Sequence, residues 1–256
     1  MKALSRTQQV SLLWELVRVD FKLRDQGTFF GFLWTLLKPI LTFVVLYAIF
    51  NKAFANQIDN YAFYILVGIV QWSFFDTATS HAINSFDSKS HIIGNFRFPS
   101  WIVPSSAVGT VFLSYVIECG LVLFILGICG WIMFSGIHIF LLFILLNLGV
   151  TWSVSIILAN LHRLYRDTEH VWALLIRIGF VATPIFYPIS FLNDDRLFWM
   201  RLNPFYHLLN STRQVLSQGA LPNNQSVTFL IGTIFVFSFL AIVISRGVDV
   251  IMAEQF

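Results

Sequence analysis

Hydrophobic and polar positions fall along this chain in long blocks rather than at a short period. Six predominantly apolar runs occupy about 31–54, 61–81, 102–134, 139–161, 171–190 and 227–245. A helix needs roughly 20 apolar residues to cross the ~30 Å hydrocarbon layer of a bilayer, whereas strands of a membrane barrel read as alternating segments of about ten. Continuous runs therefore predict six transmembrane helices, an all-α polytopic membrane protein with one transmembrane domain over 1–256. Residues 8–27 differ. Val10, Leu13, Trp14, Val17 and Phe21 lie along one helical side, and Glu15, Arg18, Lys22 and Asp25 mostly on the other. That pattern predicts a helix lying in the membrane interface, the alternative being a soluble surface helix. Residues 191–225 are amphipathic and too polar to span, and predict one or two short helices before the last run.

Composition narrows the class. Charged residues make up 11% and hydrophobic ones 57%, with a mean hydropathy of +0.76, so the chain lacks the polar groups to cover a water-facing surface. Disorder, a secreted disulfide scaffold and a cytosolic enzyme are excluded. Cys119 and Cys129 share one apolar run, about 15 Å apart on a helix, too far for a disulfide. The first thirty residues are charged and lack the apolar centre of a cleavable signal. Basic residues set the orientation. Lys2, Arg6, Arg18, Lys22, Arg24, Lys89, Arg97, Arg163, Arg166 and Arg246 share one side, against Lys52, Arg196, Arg201 and Arg213 on the other. Both termini are therefore expected in the cytoplasm, with 82–100 and the loop HRLYRDTEH at 162–170 beside them and 191–225 outside.

No glycine is followed by lysine, so no GxxxxGK[ST] nucleotide loop exists, and no HExxH or CxxC metal pattern occurs. A pump built from this chain must borrow its motor. His162 and Asp167 stand in the H-x4-D spacing of membrane acyltransferases, where histidine acts as base and aspartate orients it; the competing reading is a charged loop that binds another protein. Glu118 and Arg177 lie inside apolar runs, where a charge costs roughly 2.5–3.5 kcal/mol at mid-span. Each is expected to face protein or water, as a mutual pair or with separate polar neighbours. Aromatic residues reach 17%. Phe32, Phe43, Tyr47, Phe50 and Phe54 recur at offsets of 11, 4, 3 and 4 along one face of the first run, and Trp172, Phe180, Tyr187 and Phe191 within a similar arc of the fifth. Such faces stack on the C–H faces of sugar rings without a fixed hydrogen-bond register, which suits a sliding polymer; the alternative is helix packing or lipid contact.

Four blocks then carry a family resemblance. Asp20-Phe-Lys-Leu-Arg24, Gly27-Thr28-Phe-Phe-Gly31-Phe-Leu-Trp34 and Pro39 enter the first run; Phe96-Arg97-Phe98-Pro99 and Ile102-Val103-Pro104 precede the third. Tyr165-Arg166-Asp167 with Thr183-Pro184-Ile185-Phe186-Tyr187-Pro188 frames the fifth, and Leu202-Asn203-Pro204 with Arg213 precedes the sixth. Together they resemble the membrane subunit of type-2 ABC exporters, specifically permeases for O-antigen and capsular polysaccharides. Asp25 stands where that family usually has an aromatic. The resemblance implies a non-enzymatic permease in the bacterial inner membrane, working as two copies with two copies of a separate ATPase that binds the ATP and Mg. It implies no cofactor or metal in this chain and no nucleic-acid partner. The cargo would be an undecaprenyl-diphosphate-linked glycan, with Arg18, Lys22 and Arg24 near the lipid-diphosphate entry and the aromatics of the first and fifth spans lining the conduit. Asp87, Lys89, His91, Arg97, Arg166 and Asp167 would couple to the ATPase, membrane lipids would surround the spans, and 191–225 would form an outer gate. Rival readings are an exporter of teichoic acid, lipid or drug, the acyltransferase, and a passive channel.

Overall fold

In the computed structural model the described residues are 5–23, 33–90, 99–191 and 193–254. They form helices α1 (Arg6–Leu23), α2 (Leu33–Phe54), α3 (Tyr61–Ile83), α4 (Ser85–Ser88), α5 (Ile102–Ile128), α6 (Ile137–Leu164), α7 (Thr168–Ala182), α8 (Asp194–Met200), α9 (Pro204–Gln218) and α10 (Asn224–Glu254). No strand occurs among the described residues. Four helical stretches, Leu33–Phe54, Ile102–Ile128, Phe134–Leu164 and Asn224–Ile251, are long and apolar enough to cross a membrane.

The second and fifth expected spans look different. α3 has 23 residues but carries Gln71, Asp76, Thr79 and His81 along its length. It tolerates them because it is the hub of the bundle, packed by α2, α5, α6, α7 and α9. Tyr115 Oη and Asn147 Nδ2 donate to Gln71 Oε1 at 2.5 and 2.6 Å, so the amide buried between α3, α5 and α6 is satisfied. Left unmet, it would cost about 1–3 kcal/mol. α7 stops after 15 residues, about 22 Å of rise. Thr183 is extended, at φ −93° and ψ 140°, as the residue before a proline prefers.

Local signals set several boundaries. Ser5 and Gln8 cap the start of α1 reciprocally, each side chain accepting from the other's backbone N–H, a capping box. α1 docks on α5, where Val17 meets Gly109; a Cβ there would lie 2.8 Å from a Val17 methyl. Val10 and Trp14 of the expected apolar side stay exposed, and only Leu16 and Val17 are buried. α5 ends earlier than the apolar run because Gly130 adopts φ 69°, and Trp131 N–H then caps the Leu126 carbonyl. Asn203 Oδ1 accepts from Phe205 N–H to start α9, with Pro204 in the first turn, and Gly219 at φ 63° ends it. α10 lies along α6, joined by Ser153–Ser238 at 2.8 Å and Asn160–Ser245 at 3.0 Å. The apolar core wraps α3 on both sides, one cluster shared with α6, α9 and α10 and one with α5 and α6.

Candidate functional site

The end of α7 is a deliberate break. In the six residues Thr183 to Pro188 the chain leaves the helix, so its carbonyls need other donors, and every one from Ala182 to Pro188 finds one. Tyr187 Oη donates to Ala182 O at 3.0 Å. Ile185 N–H turns back to Thr183 O at 2.7 Å, and Phe191 N–H caps Pro188 O at 3.1 Å. Tyr61 Oη donates to Phe186 O at 2.6 Å, and the Tyr64 hydroxyl is shared between Pro184 O at 3.2 Å and Tyr187 O at 2.9 Å. Arg213, reaching from α9, supplies the rest: Nη1 to Pro184 O and Nη2 to Ile185 O, both at 2.9 Å, and Nε to Tyr64 O at 3.1 Å. Its guanidinium lies 3.4 Å from the centre of the Tyr64 ring, a cation–π contact. Gly68 makes room, since a Cβ there would sit 2.7 Å from Arg213 Nη2 and 3.1 Å from Ile185 O. Asn203 Nδ2 donates to Thr183 Oγ1 at 2.9 Å, tying the start of α9 to the same break. Tyr61, Tyr64 and Gly68 carry no local signal of this role; Arg213 and Asn203 are visible in the sequence only through the fourth block.

The two aromatic stripes meet beside this break. Tyr47 lies 6.2 Å from Tyr61 and 5.5 Å from Phe43 between ring centres. Phe50 meets Phe186 at 4.9 Å, and Phe54 meets Phe191 at 6.0 Å. Phe180 joins through Phe186, and Tyr187 through Phe186 and Phe191. Within one chain the stripes thus face each other, half-buried on the core around α3 except for Tyr187, which is buried, and Phe191, which is exposed. Trp172 belongs elsewhere: it packs on Phe75 and donates to Thr79 Oγ1 at 2.9 Å. The outer faces of the same helices are aliphatic, with Leu41, Val44, Val45 and Ile49 on α2 and Leu174, Leu175, Ile178 and Val181 on α7 all exposed. Phe32 lies outside the described residues.

The opposite end of the bundle is charged. Lys89, only 8% exposed, donates to Asp20 of α1 and Ser106 of α5, both at 2.5 Å. Asp87 accepts from Arg166 and faces His162 Nε2 at 3.4 Å. Asn84 donates to Glu169 at 3.0 Å, and Arg163 to Asp249 at 2.8 Å. The segment after α3, the loop between α6 and α7, and the end of α10 are therefore stitched together. Arg18, Lys22 and Asp167 are exposed; Arg24, His91 and Arg97 lie outside the described residues. His162 is buried with its Nε2 toward Asp87 and Arg166, while Asp167 points to solvent, so the H-x4-D pair is not assembled. Glu118 is buried on α5 and lines a polar cavity of about 240 Å³ with Lys38, His81 and Tyr115. Arg177 is exposed on α7 and joins none of the ion pairs of the described residues. Glu118 and Arg177 do not pair with each other.

Residues 11–217 match the family model described as ABC-2 type transporter. The chain is 30% identical over 226 residues to an O-antigen export system permease protein RfbA of Myxococcus xanthus, covering 87% of this chain and 86% of that one. It is 27% identical to a protein of the same name from Klebsiella pneumoniae over 95% and 94% of the two lengths. The polysialic acid transport protein KpsM of Escherichia coli is 18% identical over 84% and 85%. With well over half of its 256 residues inside the family model, a membrane-embedded helical bundle and no nucleotide loop of its own, the chain belongs to the ABC-2 type transporter family.

Proposed function

We propose that this chain is the permease subunit of an exporter that moves a lipid-linked polysaccharide of O-antigen or capsular type across the bacterial inner membrane. One observation carries this reading: near-full-length similarity to permeases named for O-antigen export. Two copies form the conduit, and two copies of a separate ATPase, binding ATP and Mg, drive it. α3 serves as the second span. The fifth is completed by the extended residues beyond α7, since non-helical backbone is tolerated at membrane depth where protein satisfies it. The charged end faces the cytoplasm with both termini. Asp87, Arg166 and the loop around Asp167 receive the ATPase there, and Lys89 acts from behind, holding α1 against α5. Arg18, Lys22 and Arg24 draw in the diphosphate of an undecaprenyl-linked glycan. α8 and α9 gate the outer end, α9 being bound to the break in the fifth span through Arg213. Coupling follows from rigidity: motion imposed on α4 and the start of α7 reaches the aromatic seam through α7 itself.

The test is deletion of the gene in its own host, with glycan measured at the surface and on its lipid carrier. Loss of surface polymer with carrier-linked polymer accumulating inside, both reversed by the wild-type gene, is the expected result. Normal surface polymer in the deletion strain would end the reading. Alanine at Tyr47 and Phe50 together then examines the conduit, by export and ATPase rate in an assembled complex.

A further inference from the structure

A cavity of about 450 Å³ opens between the start of α5 and the charged-end halves of α6 and α10. That volume lies within the range of small-molecule sites. Along α10 its lining runs from Ser238 to Asp249, about 16 Å at 1.5 Å per residue, which matches one leaflet's share of a ~30 Å hydrocarbon core. Trp152, Ile156, Ala241 and Ile242 make its walls, and half-buried Trp101 belongs to the lining beside Ser100. The serines, the Trp152 indole and the Asp249 carboxylate of the lining are already engaged. Ser238 bonds Ser153 at 2.8 Å, Ser245 accepts from Asn160 at 3.0 Å, and Trp152 Nε1 donates to Ser105 at 2.7 Å. At the rim Asp249 accepts from Ser100 at 2.7 Å and from Arg163 at 2.8 Å, which neutralises it. Arg246 remains. It is exposed on the rim, and among the described residues it makes no hydrogen bond or ion pair.

An apolar slot of leaflet depth, with one uncommitted guanidinium on its rim and a half-buried tryptophan in its lining, matches the chemistry of a single anionic lipid. Arg suits the phosphate through its planar fork, and tryptophan sits well at head-group level. We propose that this cavity binds one anionic phospholipid, its phosphate on Arg246 and one acyl chain running between α6 and α10 past Ile242 to Trp152. A free phosphate would leave the slot unused, and a zwitterionic head group brings an ammonium toward a cationic rim. Assigning the lipid to the inner leaflet rests on the orientation proposed above; the binding itself does not.

The experiment is native mass spectrometry of the full-length protein in mild detergent, with phosphatidylglycerol, phosphatidylethanolamine or undecaprenyl phosphate added at equal concentration. The expected result is one retained phosphatidylglycerol per chain, held more tightly than the other two. Arg246→Gln should weaken it about tenfold or more, the loss of one charged hydrogen-bond group, while Arg246→Lys keeps most of it. Ile242→Trp, which fills the slot without changing charge, should weaken it to a similar extent. Equal retention of phosphatidylglycerol and phosphatidylethanolamine, or unchanged retention in a normally melting Arg246→Gln, overturns the proposal. Tighter retention of undecaprenyl phosphate overturns the assigned occupant. The readout requires neither export nor the ATPase, so its failure and a failure of the transport reading are separate results.

Discussion

Replacing Arg213 with Met tests the account of the broken fifth helix. Methionine keeps the volume and the apolar stem but removes three donors. Of the three carbonyls, Pro184 O keeps the Tyr64 hydroxyl as a donor, and Tyr64 O belongs to α3, where the helix ladder serves it. Ile185 O has no such second source, and Ile185 is fully buried, so water does not replace the lost bond. One unmet buried carbonyl costs about 1–3 kcal/mol, and the contact with the Tyr64 face adds about 0.5–2 kcal/mol. The loss should total about 2–4 kcal/mol, offset in part because a buried cation no longer has to be desolvated. Thermal unfolding of the purified protein in one detergent reads the change. Gly68→Ala perturbs the same clamp from α3, because its new Cβ would sit 2.7 Å from Arg213 Nη2. If the clamp is one unit, the double variant falls well short of the sum of the single losses. A melting point for Arg213→Met indistinguishable from wild type, or strictly additive losses in the cycle, refutes the reasoning.

Other outcomes follow from the same geometry. Burial lowers the Arg213 guanidinium from its ordinary value to about 10, with Tyr64 opposing the shift. The unfolded chain binds the extra proton only between those values, so this group makes stability rise with pH only there. The Arg213→Met loss should therefore be constant from pH 6 to pH 8.5 in melting experiments; a loss that changes across that interval assigns the wrong charge state. Cys129 is exposed at the end of α5 while Cys119 is buried, so an impermeant maleimide should label intact cells with a permeabilised outer envelope, and Cys129→Ser should abolish the signal. Labelling only after lysis would invert the proposed orientation. Asp20→Asn leaves the buried Lys89 ammonium without its carboxylate. The cost is about 1–2 kcal/mol given the partial exposure of Asp20, read as several-fold faster trypsin cleavage at Arg18 and Lys22. Unchanged cleavage would show that the pair does not hold α1.

The membrane helices are legible in sequence because lipid imposes a long, simple signal. The runs at 31–54, 139–161 and 227–245 correspond to α2, α6 and α10. The errors lie where something other than hydropathy decides. The third run overshoots because Gly130 ends α5 inside an apolar stretch. The sixth falls short at both ends, because α10 begins at Asn224 and continues as a helix past Arg246 to Glu254. The fifth reads as a full span because Ile185, Phe186 and Tyr187 are apolar, although Pro184 and Pro188 already mark trouble for a helix. What satisfies the break was invisible: Arg213 and Tyr64 are 149 positions apart, and nothing in either neighbourhood states that they meet. For His162 and Asp167 the spacing left a paired reading and a charged-loop reading open, and the fold turns His162 Nε2 toward Asp87 and Arg166.

The carbonyl clamp also constrains how such a chain can vary over generations. Tyr61, Tyr64, Gly68, Arg213 and the two prolines answer one another, and replacing any one leaves a stranded peptide group or a collision. Drift through this corner of the molecule therefore requires compensating changes in concert, and descendants should inherit the set together or lose it together, while the aliphatic outer faces of α2 and α7 exchange Leu, Val and Ile freely.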